Sequence, residues 1–95
     1  LPLTQDIIPM TTTPYSTADI GLAAALTTLD FTIAEMAPTP SPRGRPYLTF
    51  VFSDPPEACQ KTEKSYYAGK LMVSALTYAY KLRQLKERTR TLLPA

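Results

Sequence analysis

The stretch YLTFVFSDPPEACQ, residues 47–60, marks where one regular element must stop and another begin. Residues 47–52 are β-branched and aromatic with no Gly or Pro, the composition of a strand, and their alternation puts Leu48, Phe50 and Phe52 on one core-facing side. Asp54-Pro55-Pro56-Glu57 then reads as a helix start. Asp54 serves as N-cap, Pro55 stands at the first helical position, and Glu57, three residues after the cap, closes a capping box. A strand with one apolar face running directly into a helix points to an α+β domain.

Upstream, Phe31-Thr32-Ile33-Ala34-Glu35-Met36 has the same strand composition, so residues 31–36 and 47–52 are expected to form an antiparallel hairpin. The link 37–46, APTPSPRGRP, with four prolines and one glycine, reads as an exposed, semi-rigid loop. Arg43 and Arg45 near its tip make it either a spacer or a partner-binding finger. Before it lies a helix: Ser16 and Thr17 are suited to cap it, and Asp19 sets a carboxylate in the first turn, against the free N–H groups and the positive dipole end. Leu22, Leu26 and Leu29 form its stripe, alanines allow close packing, and it is expected to end near Asp30.

Downstream, the second helix is expected to run to about Ala68, with Gly69 as the left-handed C-terminal cap. Leu71-Met72-Val73 is a short linker, and Ser74 caps a third helix reaching about Leu92. Its inner stripe is read as Ala75, Tyr78, Ala79, Leu82, Leu85 and Thr89. The expected fold is a short antiparallel sheet, with room for a further edge strand, packed by three helices in a single domain over residues 15–93. At 95 residues there is one core and no space for a second.

Residues 1–14, LPLTQDIIPMTTTP, show neither helical nor strand periodicity and read as an extended arm. Apolar side chains held in water forgo about 1.5–3 kcal/mol each relative to burial, so Leu1, Leu3, Ile7, Ile8 and Met10 are expected to dock on the core or on a neighbour. Charge is also divided. Residues 1–60 hold two arginines against six acids, a balance of −4, whereas residues 61–95 hold eight cations against two acids, a balance of +6. The cations Lys81, Arg83, Lys86, Arg88 and Arg90 fall on the outer faces of the third helix. Part of that charge complements the helix dipole, and the rest suits an acidic partner: nucleic acid, an acidic protein face or another copy of the chain. Tyr66, Tyr67, Tyr78 and Tyr80 lie near these positions; they read either as flat rings that stack on bases or, more plainly, as core tyrosines beside a solvated charged face.

The order of elements resembles a small domain-of-unknown-function family found in bacterial and phage genomes. The resemblance is carried by Tyr15-Ser16-Thr17-Ala18-Asp19-Ile20-Gly21-Leu22-Ala23-Ala24-Ala25-Leu26, by Phe31, by Phe50-Val51-Phe52, by Tyr67-Ala68-Gly69-Lys70-Leu71 and by Leu85-Lys86-Glu87-Arg88. It spans about residues 15–90. It implies first and last helices packed on a short sheet and a viral or mobile-element setting, and it implies no activity. The arm and the Pro-rich loop lie outside the shared pattern, and Asp30 stands where a helix-ending glycine is usual.

Catalytic machinery is not legible. The chain has no histidine, and its single cysteine, Cys59, can assemble neither a zinc cluster nor an internal disulfide, which fits a reducing compartment. Cys59 reads as a small buried hydrophobe. Asp19, Asp30, Asp54 and Glu57 sit at predicted helix boundaries where capping accounts for them. Gly21, Gly44 and Gly69 are too scattered to cradle a phosphate. The longest apolar stretch, Ile20 to Leu26, is far short of the roughly 20 residues of a membrane span, and no secretory signal is legible at Leu1-Pro2-Leu3. These features lead us to expect a non-catalytic structural or adaptor protein, without cofactor or small-molecule substrate, working in the cytoplasm or in a virus-like particle. The alternative is a small nucleic-acid-binding protein using the third helix.

Overall fold

The computed structural model describes residues 13–93, so the arm residues Leu1, Leu3, Ile7, Ile8 and Met10 lie outside the described part. The order is β1 (Ser16–Thr17), α1 (Ile20–Thr28), β2 (Ile33–Thr39), β3 (Tyr47–Phe52), α2 (Pro56–Tyr67) and α3 (Ala75–Leu92). The strands form one antiparallel sheet in the order β1-β3-β2, giving the α+β architecture expected.

β3 occupies its expected residues, and Leu48, Phe50 and Phe52 are buried as read. β2 starts later and runs further than residues 31–36. Phe31 is withheld from the strand because its N–H closes the end of α1 on the Leu26 carbonyl at 3.0 Å. At the other end, Ala37, Pro38 and Thr39 extend the strand into the segment read as loop. Pro38 is tolerated because β2 is an edge strand, paired on one side only, so its missing N–H breaks no ladder on a second side. A register shift between Ile33 and Glu35 leaves Ala34 as an extra residue. That shift lets Ile33 and Met36, three apart, both pack on the core opposite Phe52 and Phe50.

The first helix begins differently from the reading. Ser16 and Thr17 form β1, paired with Val51 and Phe50, and the cap is Asp19 itself, whose Oδ1 accepts from the N–H groups of Gly21 and Leu22 at 2.9 and 3.2 Å. Nor does α1 have a single stripe. Leu22, Ala23, Ala24, Ala25 and Leu26 are buried in succession, while Leu29 at the helix end is exposed. A short helix can be enclosed this way only if most of its surface is methyl-sized, letting neighbours approach from several sides. Leu22 and Leu26 join Leu48, Phe50 and Phe52 of β3, Cys59 of α2 and Leu85 of α3 in one cluster.

The capping box expected at Asp54 and Glu57 is absent. The N-cap is Pro55, with no side-chain bond, and Asp54 Oδ2 instead accepts from the backbone N–H of Thr32 at 2.9 Å. The carboxylate is better used there, tying the start of β2 to the end of β3. Gly69 behaves as read: φ is +73°, with its N–H on the Tyr66 carbonyl and that of Lys70 on Ser65. This paired closure is the Schellman motif. α1 ends in the same way, with Asp30 at φ +71° in the glycine position and the N–H groups of Asp30 and Phe31 on the Thr27 and Leu26 carbonyls. α3 runs as expected, with Ser74 Oγ accepting from the Thr77 N–H at 3.4 Å.

A Cβ in the left-handed region is strained, and aspartate tolerates it only in part. Asp30→Gly is therefore expected to stabilise the fold by about 0.5–1 kcal/mol, the relief being partly offset by the greater freedom of glycine in the unfolded chain. Urea unfolding should show a higher midpoint with an unchanged slope.

Candidate interaction surfaces

Of the two readings of the tyrosines near the basic positions, stacking on bases or packing in the fold, the structure shows mostly the second. The Tyr67 hydroxyl donates to Asp19 Oδ2 at 2.6 Å, and that of Tyr78 donates to the Gly21 carbonyl at 3.3 Å. A Cβ on Gly21 would meet the Tyr66 oxygen at 2.6 Å and the Tyr78 oxygen at 3.3 Å. Glycine inside α1 is thus the consequence of α2 and α3 closing on its first turn. Tyr15 plays a similar part, buried against Phe52 and donating to Glu63 Oε1 at 2.7 Å. Tyr80 alone of the four residues Tyr66, Tyr67, Tyr78 and Tyr80 has its ring exposed without a hydroxyl bond to another element; it accepts from Gln84 on its own helix.

These contacts favour the neutral phenol. Desolvation and the bond to Glu63 push the Tyr15 hydroxyl far above its ordinary value, and desolvation and the neighbouring Tyr78 hydroxyl raise Tyr66. Tyr67 is pushed up to about 12, chiefly by its hydrogen bond to Asp19. Cys59 is fully buried, and burial raises its thiol, with Asp54 adding to the shift, so it is the inert core residue expected.

The structure divides the five basic residues of α3. Arg83, Lys86 and Arg90 are exposed away from the sheet, whereas half-buried Lys81 and exposed Arg88 line a groove against β2. One ion pair is formed among the described residues, Arg90 to Glu87 at 3.9 Å, with both side chains mostly in water. Arg43 and Arg45 are exposed on the hairpin loop, beside Gly44 at φ +144°. Of the inner stripe, Tyr78, Leu82, Leu85 and Thr89 turn inward as read, but Ala75 and Ala79 are exposed. At about 100° per residue, Ala79 lies roughly 120° around the helix from Leu85, off the packed side.

Two features were not anticipated. Leu76 and Tyr80, one turn apart on α3, form an exposed apolar stripe with 83 and 56% of their surfaces in water, and Met72 in the linker before the helix is 86% exposed. The spacing held the clue: nine residues at about 100° each place Leu76 a half-turn away from buried Leu85. The second is the groove itself, about 580 Å³, with Phe31, Ile33 and Met36 as its floor and Lys81, Gln84 and Arg88 on the α3 wall. No spacing pattern foretells it, since it arises where α3 stands off the edge of the sheet.

Among the described residues, no group of three or more His, Cys, Asp or Glu side chains is placed to hold a metal ion, and no helix is long and apolar enough to cross a membrane. Searches of protein-family models, curated proteins and solved structures find no match for this chain.

A phenol whose folded pKa exceeds its unfolded value of 10 contributes stability that is complete below pH 10 and is lost as pH rises toward the folded value. Thermal melts should accordingly hold steady to about pH 10 and then fall. Tyr15→Phe should make that alkaline fall shallower, while an unchanged profile would show that Tyr15 contributes none of it.

Proposed function

We propose that the chain is a non-catalytic structural or adaptor protein of a multi-subunit assembly, meeting a protein partner or copies of itself. The observation that carries this reading is the outward stripe of Leu76 and Tyr80 on α3, with Met72 also exposed in the linker before it. Large apolar side chains turned to water add nothing to the stability of a lone chain, and exposed apolar surface grouped on one helix face marks interaction sites. The non-catalytic part is supported by the chain's lack of histidine and by the engagement of Asp19, Asp54 and Glu63 as hydrogen-bond acceptors that hold elements together. The resemblance to the bacterial and phage family suggests a virus-like particle as the setting.

A second reading, nucleic-acid binding, is favoured by one specific observation: Arg83, Lys86 and Arg90 share an exposed stripe with a single long ion pair to offset them.

Replacing Leu76 and Tyr80 together by Lys should lower the mass seen by light scattering toward that of one chain with the far-ultraviolet circular dichroism unchanged. An assembly of unaltered mass would count against this stripe as the interface. If α3 binds a duplex through its outward cations, log affinity should fall with log salt with a slope of about −2 to −3. Changing Arg83, Lys86 and Arg90 to Ala should flatten it, and binding indifferent to salt would exclude that reading.

A further inference from the structure

We infer that the tip of the β2–β3 hairpin, Pro42-Arg43-Gly44-Arg45-Pro46, inserts into the minor groove of A·T-rich duplex DNA. Neither the Leu76 and Tyr80 stripe nor the cations of α3 belong to this loop, so the site is separate from both surfaces named above.

The loop is built as a projection. Pairing of β2 with β3 closes at Thr39 and Tyr47, where the hydroxyls of Thr39 and Thr49 also bond at 2.7 Å. Beyond that clasp, residues 42–46 are all exposed. Pro40, Pro42 and Pro46 fix their own φ angles, so the loop has less freedom to lose when a partner holds it. Gly44 sits at φ +144°, and a Cβ built there would meet nothing within 4 Å, so no other part of the fold covers the tip. Neither Arg43 nor Arg45 is paired with an acid among the described residues, and residues 40–46 hold no acid of their own.

Charge alone would suit any acidic surface, but the shape selects a groove. The minor groove of B-DNA is about 6 Å wide, too narrow for a helix or a two-stranded ribbon. A single extended backbone fits it. With no side chain at Gly44, the backbone can lie along the groove floor while the guanidinium groups on either side run along it in opposite directions. In an extended chain the Cα atoms of Arg43 and Arg45 are about 7 Å apart, the length of two base-pair steps of about 3.4 Å. A·T tracts are favoured for two reasons. Their minor groove is narrow and strongly negative, which draws in arginine, and it lacks the guanine N2 amino group that stands on the floor of a G·C groove.

A hairpin can also enter the major groove and set arginines on guanine edges. The strands argue against that course. A ribbon in the wide groove reads bases with side chains along its length, yet residues 33–39 and 47–52 carry no Arg or Lys. Exposed Glu35 of β2 would also be driven toward phosphates. The cations are confined to the tip, which is the part that a narrow groove can take.

The full-length chain is titrated at low salt with three labelled duplexes of equal length, made of A·T, G·C or I·C pairs. Inosine lacks the N2 amino group, so an I·C duplex has the major-groove edges of G·C and the minor-groove edges of A·T. The A·T and I·C duplexes should bind about tenfold or more tightly than G·C. Contacts of α3 to phosphates are the same in all three, so the ratio reads the loop. Arg43→Ala with Arg45→Ala should erase the preference while the circular dichroism stays unchanged, both positions being exposed. Lysine at both positions keeps the charge but is more strongly hydrated, and should lose most of the preference. Equal affinity for the three duplexes, or no binding to any, overturns the insertion. Tighter binding to G·C, or I·C as weak as G·C, overturns it by placing the contact in the major groove. A preference that survives the double Ala variant assigns it to another surface. Displacement of the A·T duplex by polyglutamate as readily as by unlabelled A·T DNA overturns it in favour of an acidic protein face.

Discussion

A helix whose middle has no solvent face has to be covered there on every side, and α1 is such a helix. Its five consecutive buried residues, Leu22 to Leu26, are the contact on which the sheet, α2 and α3 converge. Alanine at three of the five keeps its girth small, so the covering elements can close in without voids. The rest of the local chemistry serves that closure. Asp19 caps the helix start and receives Tyr67, Tyr66 and Tyr78 crowd the side where only Gly21 fits, and Asp30 accepts a strained backbone so that Phe31 can turn back onto the core.

Where one local rule acted without competition, the sequence was a reliable guide. The alternation in residues 47–52, Gly69 as a left-handed cap and Ser74 at the start of α3 all stand where local rules put them. The readings that failed are those where a residue had two good uses and tertiary structure chose the second. Asp54 had the geometry of an N-cap but ties the start of β2 to the end of β3, and Ser16 and Thr17 had the chemistry of caps but complete the sheet. Ala37-Pro38-Thr39 read as loop on account of the proline, a restriction that does not apply at the outer edge of a sheet.

The candidate surfaces were legible to different degrees. Charge segregation identified the cations of α3, but only packing could show that Lys81 and Arg88 face β2 while Arg83, Lys86 and Arg90 face water. The tyrosines illustrate the opposite hazard. Their proximity to basic residues left stacking open, yet the hydroxyls of Tyr67 and Tyr78 are spent on holding helices together and that of Tyr66 packs against Gly21. A residue type that suits recognition suits internal cross-bracing equally well, and composition alone does not separate the two.

The half-turn between Leu76 and Leu85 has an evolutionary consequence. Positions that decide whether α3 folds and the outward apolar positions lie on opposite sides of one cylinder. Substitutions on the two sides should then act nearly additively. Lineages of this protein could replace the outward residues freely while the inward residues drift only as slowly as the core permits; on the proposed function, that freedom would let one companion be exchanged for another.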